Sequence, residues 1–161
     1  MKKTTTIIAS VIMMLLCITA FSGCNDNENN KQDENYFTGD SGISALAEIS
    51  ENSLGYANVD ITIVNNTEKE IAAIKFYIVP FDVYGEEISH SMIVNEINTD
   101  TAIPAGGKTK ISKLVYDTSV KTAEIYAYSV YFSDGTEWGN HNAEPSAILN
   151  YAPTLTVVVK S

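Results

Sequence analysis

Two histidines are the residues of this sequence whose types most readily suggest catalysis. His90 lies between Ser89 and Ser91, and His141 follows Gly139-Asn140. A catalytic histidine needs a nucleophile and an orienting carboxylate close to it in space. No serine of the chain lies in a Gly-x-Ser-x-Gly or comparable context. We therefore expect both histidines at the surface and no enzymatic activity.

Two acidic segments could supply oxygen ligands to a metal. Asp134-Gly135-Thr136-Glu137 and Asp82 with Glu86-Glu87 carry carboxylates of the kind that calcium prefers. Neither segment has the multi-ligand spacing of a calcium loop, and Asp-Gly is typical of a tight hairpin. Gly106-Gly107 precedes a predicted strand, whereas a phosphate-binding loop would precede a helix. We predict no metal site and no cofactor.

Aromatic residues near the end of the chain are candidates for a binding surface. Tyr126, Tyr128 and Phe132 share one face of a predicted strand by simple alternation, and Trp138 follows across a hairpin. If they face inward, these rings pack the core. If they face outward, Tyr126 and Tyr128 form an exposed ladder that could stack on sugars or anchor a protein. For Trp138 we expect partial burial, with the indole N–H bonded to a partner.

The first 23 residues have the pattern of a secretory signal peptide. Lys2 and Lys3 precede an apolar run from Ile7 to Ala20, and small residues follow it. The run is shorter than the roughly 20 apolar residues of a transmembrane helix.

The next four residues, Phe21-Ser22-Gly23-Cys24, resemble the lipobox of bacterial lipoproteins, with Phe21 where that family usually has leucine. The resemblance implies cleavage before Cys24 and a lipid on its thiol, which would hold the protein at the outer face of the cell membrane. Two acyl chains give stable anchoring. A cleaved signal with a free Cys24 and an uncleaved signal anchor are the alternatives.

Without residues 1–23 the chain carries eight lysines, no arginine and twenty acidic residues, a net charge of −12. Such a charge excludes ordinary nucleic-acid binding, which depends on basic contacts to phosphates. Anionic lipid headgroups should also repel it, so lipid must supply the membrane attachment. Cys17 and Cys24 are the two cysteines of the sequence, so no disulfide is available to a domain that follows Cys24.

Residues 24–35 are the lipidation site followed by an entirely polar segment, which we expect to be a flexible tether. Residues 36–161 have the size of one domain. Apolar residues alternate with polar ones through most of it, as in half-buried strands. The predicted strands are Ile43–Ile49, Ala57–Ile63, Ile74–Ile78, Ile88–Val94, Thr109–Tyr116, Ala123–Phe132, a short strand at Glu137-Trp138, and Leu155–Val159.

Seven or eight short strands with frequent turns predict a single antiparallel β-sandwich of the immunoglobulin-like type. Pro80 has no N–H to donate, so its strand must bulge, end or lie at an edge there. Two segments could be helical: Glu144 to Asn150, with a proline near its start, and a single turn from Asp117 to Lys121.

Three stretches resemble the FxLYD-type and related immunoglobulin-like domains of bacterial surface lipoproteins. They are Val59–Glu86, Ile103–Ser112 and Ile125–Asn140. The shared features are turns, including the aromatic-Asp-x-x-Gly element at Phe81–Gly85. The resemblance therefore implies a fold and a location and carries no activity. We expect a non-catalytic module that binds a protein or a glycan, or alternatively a purely structural envelope lipoprotein.

Overall fold

The computed structural model describes residues 36–158, so the predicted signal peptide and the whole of the predicted tether, with Cys24, lie outside it. Within that part of the chain there are eight strands and one short helix: β1 Ile43–Glu51, β2 Ala57–Asn65, β3 Ile71–Phe81, β4 Glu96–Thr99, β5 Lys108–Val115, β6 Thr122–Phe132, β7 Glu137–Gly139, α1 Pro145–Tyr151 and β8 Thr154–Val158. The prediction of an all-β domain is confirmed.

The strands form two antiparallel sheets. One has the order β1-β2-β5, and the other has the order β4-β3-β6-β7, with β8 also paired to β6. Immunoglobulin-like sandwiches have this arrangement, with β1, β2 and β5 in one sheet and β3, β6 and β7 in the other. Each long strand buries alternate residues, because a pleated strand directs successive side chains to opposite faces.

The core between the sheets is aliphatic. Val59, Ile61 and Ile63 of β2 are fully buried and face Ile74, Phe76 and their neighbours in the second sheet. Burial of each such side chain stabilises the fold by roughly 1.5–3 kcal/mol. β3 ends at Phe81, one residue after Pro80, as expected for a proline at the end of a strand.

Two of the predicted elements are wrong. Residues 88–94 are not a strand, because the chain makes a turn in which Ile93 N–H donates to His90 O, and β4 begins at Glu96. Residues 117–121 are not helical. There Asp117 Oδ1 accepts the backbone N–H and the hydroxyl of Ser119, which satisfies the segment locally without a helical turn.

Candidate functional site

Simple alternation predicts that Tyr126, Tyr128 and Phe132 share one face of β6, but in the structure they lie on two different faces. Lys75 of β3 pairs with Ser129 of β6, but Phe76 pairs with Ala127, so Tyr128 is an additional residue in β6. Such a β-bulge reverses the alternation. Tyr128 therefore stays with Tyr126 outside the sandwich core, whereas Phe132 lies in the core between the sheets, and its predicted face is wrong.

The outward-facing pair is nevertheless covered. Tyr126 is 7% exposed and Tyr128 is 1% exposed. Helix α1 places Ala147 and Ile148 over them, and Phe37 completes a second apolar cluster on this face. Burial raises the pKa of each phenol to about 12, and Tyr126 also donates to Glu124 Oε2 at 2.6 Å. An exposed ladder of Tyr126 and Tyr128 is therefore not formed.

Trp138 is partly buried, as predicted from the sequence. Its ring packs against both apolar clusters and meets the Phe37 ring edge-on. The predicted hydrogen bond is wrong, because the buried Nε1 has no acceptor among the described residues. Trp138 is thus a packing residue between the outer face and the sandwich.

A polar network surrounds Glu137 beside Trp138. Glu137 Oε1 accepts the hydroxyl of Ser129 at 2.8 Å, and Oε2 lies 2.8 Å from His141 Nδ1. Burial alone would raise the pKa of Glu137, but the hydrogen bonds from His141 and Ser129 outweigh it and lower that pKa. Ser129 is buried and donates to the carboxylate and not to the imidazole, so these three residues do not form a catalytic triad.

The other histidine is also paired with a carboxylate. His90 Nε2 lies 3.0 Å from Asp117 Oδ2, across two different loops. Both histidines are exposed, as predicted, but sequence reasoning missed their acidic partners. The His90–Asp117 contact links the β3–β4 connection to the β5–β6 connection.

The acidic segments proposed above as oxygen ligands form turns. Asp82 Oδ1 accepts the N–H groups of Tyr84 and Glu86, and Asp134 Oδ1 accepts the N–H and the hydroxyl of Thr136. The part of the chain that the structure describes contains no group of three or more His, Cys, Asp or Glu residues that could hold a metal. No helix in that part of the chain has the length and apolar character to cross a membrane.

Three connections meet at one end of the sandwich, which we call the loop end: residues 52–56, 82–95 and 116–121. Tyr56 and Tyr116 pack edge-to-face with 5.8 Å between ring centroids. Lys121 N–H donates to Phe81 O at 2.8 Å, and Lys121 Nζ lies 3.1 Å from Glu51 Oε1. These contacts and the His90–Asp117 pair hold the three connections side by side.

The loop end carries most of the exposed large apolar side chains. The described residues include nine such side chains, and six of them belong to these three connections. The most exposed is Tyr84 at 86%, followed by Leu54 at 72% and Val83 at 71%. The six residues are Leu54, Val83, Tyr84, Met92, Val94 and Tyr116.

The opposite end of the sandwich is built from polar turns. The β2–β3 turn is organised by Asn65, which is fully buried and whose Nδ2 lies 2.7–3.1 Å from the carbonyl oxygens of Lys69, Ile103 and Pro104. Gly42, which directly precedes β1, accepts a hydrogen bond from Asn66 N–H at this end. The chain therefore reaches β1 at the end of the domain away from the loop end.

Comparisons with solved structures give partial overlaps with bacterial proteins of low sequence identity. A DUF1425 family member from Shewanella sp. pv-4 is 12% identical with a TM-score of 0.44, over 53% of this chain and 75% of that one. A hypothetical protein from Peptoclostridium difficile 630 is 13% identical with a TM-score of 0.46, over 71% and 99%. Campylobacter jejuni cj0090 is 20% identical with a TM-score of 0.39, over 55% and 85%.

No family model matches the chain, and no curated protein sequence matches it. The assignment of the fold accordingly rests on the strand pairing described above.

Proposed function

We propose that this protein is a lipid-anchored, non-catalytic binding domain on the outer face of the cell membrane, and that its loop end binds a partner protein. The observation that carries the proposal is the grouping of six exposed apolar side chains on three adjoining connections. Single exposed apolar residues are normal on a protein surface, but a contiguous group is typical of an interaction site.

The charges around this surface favour a protein partner with a basic rim. Asp82, Glu86 and Glu87 belong to the same connections as the apolar side chains. An acidic rim repels anionic lipid headgroups and nucleic-acid phosphates. It attracts a partner whose own apolar patch is bordered by lysine or arginine, which increases the rate of association and the specificity.

The lipid anchor in this proposal depends on Cys24, whose lipobox-like context resembles that of surface lipoproteins of the FxLYD type. The polar segment after Cys24 leads to Tyr36, which packs with Phe37 on the outer face of the second sheet.

The hydrogen bonds of the residues in the described range 36–158 favour a non-catalytic role. The hydroxyl of Ser129 is buried and donates to Glu137, and each histidine is engaged by a carboxylate. These contacts orient turns and strand ends. None of them brings a hydroxyl within reach of an imidazole, which acyl-transfer chemistry would need.

Site-specific photocrosslinking in the producing cells tests the proposal. A photoreactive benzoyl-phenylalanine is introduced in place of Tyr84 in the full chain, and in place of Tyr131 as a control. Tyr131 is exposed but lies on β6 near the opposite end. We expect one discrete protein adduct from position 84 and none from position 131. The purified partner should then bind the unmodified chain, and Tyr84→Ser with Val83→Ser should weaken that binding at least tenfold.

Three outcomes would overturn the proposal. Equal crosslinking at both positions, or none at either, would leave the purely structural envelope lipoprotein as the better account. Binding of the Cys24→Ala chain to anionic phospholipid vesicles, lost on Tyr84→Ser, would mean that the loop end contacts lipid and not protein.

A further inference from the structure

One long sheet edge has no strand hydrogen-bonded to it among the described residues, although β8 of the other sheet runs close to it. β1 is the outer strand of its sheet and pairs with β2 over nine residues without irregularity. Asn66 N–H donates to Gly42 O at one end of this pair, and Asn52 N–H donates to Tyr56 O at the other. Hydrogen-bonded pairs alternate along an antiparallel ladder. The even-numbered residues of β1 therefore bond to β2, and the odd-numbered residues direct their N–H and C=O groups to the free edge.

The other outer strand of the same sheet is protected against strand addition. β5 carries three lysines within eight residues, and Lys113 pairs with the fully buried Val59, so it lies on the inner face. Lysines and inward-pointing charges are the usual devices that prevent pairing at an edge. β1 has no lysine, no proline and no bulge. The two edges of one sheet thus differ in the residues that permit or prevent a new strand.

An apolar cleft lies along the unprotected edge. It has a volume of about 210 Å³, and its walls come from β1, β6 and the start of β8. Ala45 and Ala47 of β1 and Ala127 of β6 leave this space where larger side chains would fill it. An apolar cavity of about 150 Å³ is large enough to bind a ligand the size of benzene. This cleft can therefore take one apolar side chain of leucine or phenylalanine size.

We propose that the free edge of β1 binds an extended segment of a partner protein by strand addition, with one large apolar side chain of that segment in the cleft. Backbone bonds to Ala45 and Ala47 would supply affinity, and the cleft would select the side chain. Both features are typical of β-strand addition to a sheet edge. The proposal is independent of the loop end, because it depends on a different edge and on a different set of contacts.

A second copy of the chain is a poorer occupant of this edge. Antiparallel pairing of β1 with another β1, centred on Ala45 and Ala47, would bring small alanine side chains toward the cleft and leave the space unfilled. Two chains with a charge of −12 each after residue 23 would also repel one another. A foreign strand with alternating apolar residues and basic residues on its outer face meets neither obstacle.

The probe is the synthetic peptide acetyl-KVTVKLTVK-amide, which matches the nine residues of β1 in length. It alternates apolar residues with lysine or threonine and places one leucine near its centre. Binding to the full chain is measured by fluorescence anisotropy, and amide hydrogen exchange is followed by mass spectrometry. We expect binding together with at least tenfold slower exchange within β1. The control peptide carries N-methyl groups on alternate residues, which keep the side chains and remove the bonds of an added strand.

Matched proline variants test the edge itself. In Ala47→Pro the lost N–H is one that faces the free edge, so the β1–β2 ladder keeps its hydrogen bonds. Lys108→Pro removes an N–H at the free edge of β5 by the same parity. We expect Ala47→Pro to weaken peptide binding at least tenfold and Lys108→Pro to leave it unchanged, with circular dichroism showing that both variants fold.

The proposal fails if the N-methylated peptide binds as tightly as the parent, or if Ala47→Pro and Lys108→Pro have equal effects. It also fails if the probe does not bind at millimolar concentration. A dimer of the chain in sedimentation experiments that is lost in Ala47→Pro would assign the edge to a second copy. None of these results bears on the loop end, since Tyr84 and Val83 are unchanged in every variant.

Discussion

The Trp138 indole meets the Phe37 ring edge-on, with 6.2 Å between the ring centroids and 66° between the planes. This contact joins the segment before β1 to strand β7, which is three residues long. Edge-to-face aromatic pairs contribute about 0.5–1.5 kcal/mol beyond the area that they bury. The pair thus fixes the N-terminal part of the domain against the outer face of the second sheet.

Replacement of Trp138 by alanine should destabilise the domain. Loss of a large aromatic from a packed position costs about 3–5 kcal/mol, and partial burial reduces the effect, so we expect a decrease in the free energy of unfolding of more than about 2 kcal/mol. Urea unfolding measures this decrease. It is followed by circular dichroism, because Trp138 is the only tryptophan in the sequence and its replacement removes the tryptophan fluorescence signal. Tyr84→Ala at an exposed position should change stability by less than about 0.5 kcal/mol. Equal effects of the two substitutions would contradict the packing role.

Gly139 is a position where an alanine should be poorly tolerated. Its φ is +80°, and a Cβ there would lie 2.2 Å from Tyr128 O. Gly106 also has a positive φ, +68°, but a Cβ there meets open space. We expect Gly106→Ala to cost about 1–2 kcal/mol for the left-handed backbone alone. Gly139→Ala should cost about 1–3 kcal/mol more, since the Tyr128 carbonyl has to move. Thermal unfolding of the two variants measures the difference, and similar midpoints would refute the close approach.

The sequence predicted β2 well, because its burial is one-sided and Ala57 to Ile63 alternate in residue type. It predicted β6 well for another reason, because Ala123 to Phe132 are rich in the aromatic and β-branched residues that favour strands. Residues 88–94 also contain apolar residues at intervals, but a strand needs a partner edge, and residue types do not show whether one is available. The chain instead turns at His90 and pairs with β3 from Glu96 onward.

The candidate site was harder to predict, because it depends on register and topology. One additional residue at Tyr128 moves Phe132 to the opposite face, and no residue type marks that bulge. Glu144 to Asn150 was one of two segments for which the sequence allowed a helix, but the position of helix α1 over Tyr126 was not predicted, so burial of the tyrosines could not be decided. The loop end requires that three connections, distant in sequence, lie at the same end of the sandwich, which only the strand order reveals.

Asn65 should be far more important for stability than the neighbouring Asn66. Asn65 is fully buried, its amide lies near three backbone carbonyls, and its Oδ1 accepts both the N–H and the hydroxyl of Thr67. Each buried polar group left without a partner costs about 1–3 kcal/mol. We therefore expect Asn65→Ala to lower the free energy of unfolding by more than about 2 kcal/mol.

The control for this substitution lies one residue further on. Asn66 Nδ2 donates to Ser44 Oγ in an exposed bond, so Asn66→Ala should cost less than about 0.5 kcal/mol. Chemical denaturation of both variants compares the two asparagines directly. Losses of equal size would show that the buried amide does not hold the β2–β3 turn.

Cys24 should carry the lipid anchor. In producing cells, wild-type chain should fractionate with membranes and incorporate radiolabelled palmitate, whereas Cys24→Ala should remain uncut or be released without label. Cys17→Ala is the matched control, since Cys17 lies within the apolar run that precedes the cleavage site. Mature wild-type protein found in solution with a free thiol at Cys24 would contradict the lipobox assignment.

The Glu137 network should make stability depend on pH in the acidic range. Hydrogen bonds from His141 and Ser129 lower the pKa of Glu137 below its ordinary value of 4.5 despite its burial. A carboxyl group whose pKa is lower in the folded state stabilises the fold above its unfolded pKa, and this contribution is lost as the pH falls through the folded pKa. Wild type should therefore exceed Glu137→Gln in stability at neutral pH, and the difference should shrink below about pH 4.

Denaturation of both proteins at a series of pH values tests this dependence. His141→Ala removes one hydrogen-bond donor to Glu137. In that background, Glu137→Gln should lower the free energy of unfolding at neutral pH by less than it does in the wild-type protein. Glu86→Gln is a suitable control, because Glu86 is exposed on the β3–β4 connection. A difference in the free energy of unfolding between wild type and Glu137→Gln that is constant from neutral to acidic pH would contradict this prediction. It would mean that ionisation of Glu137 does not stabilise the fold and that the network acts through packing alone.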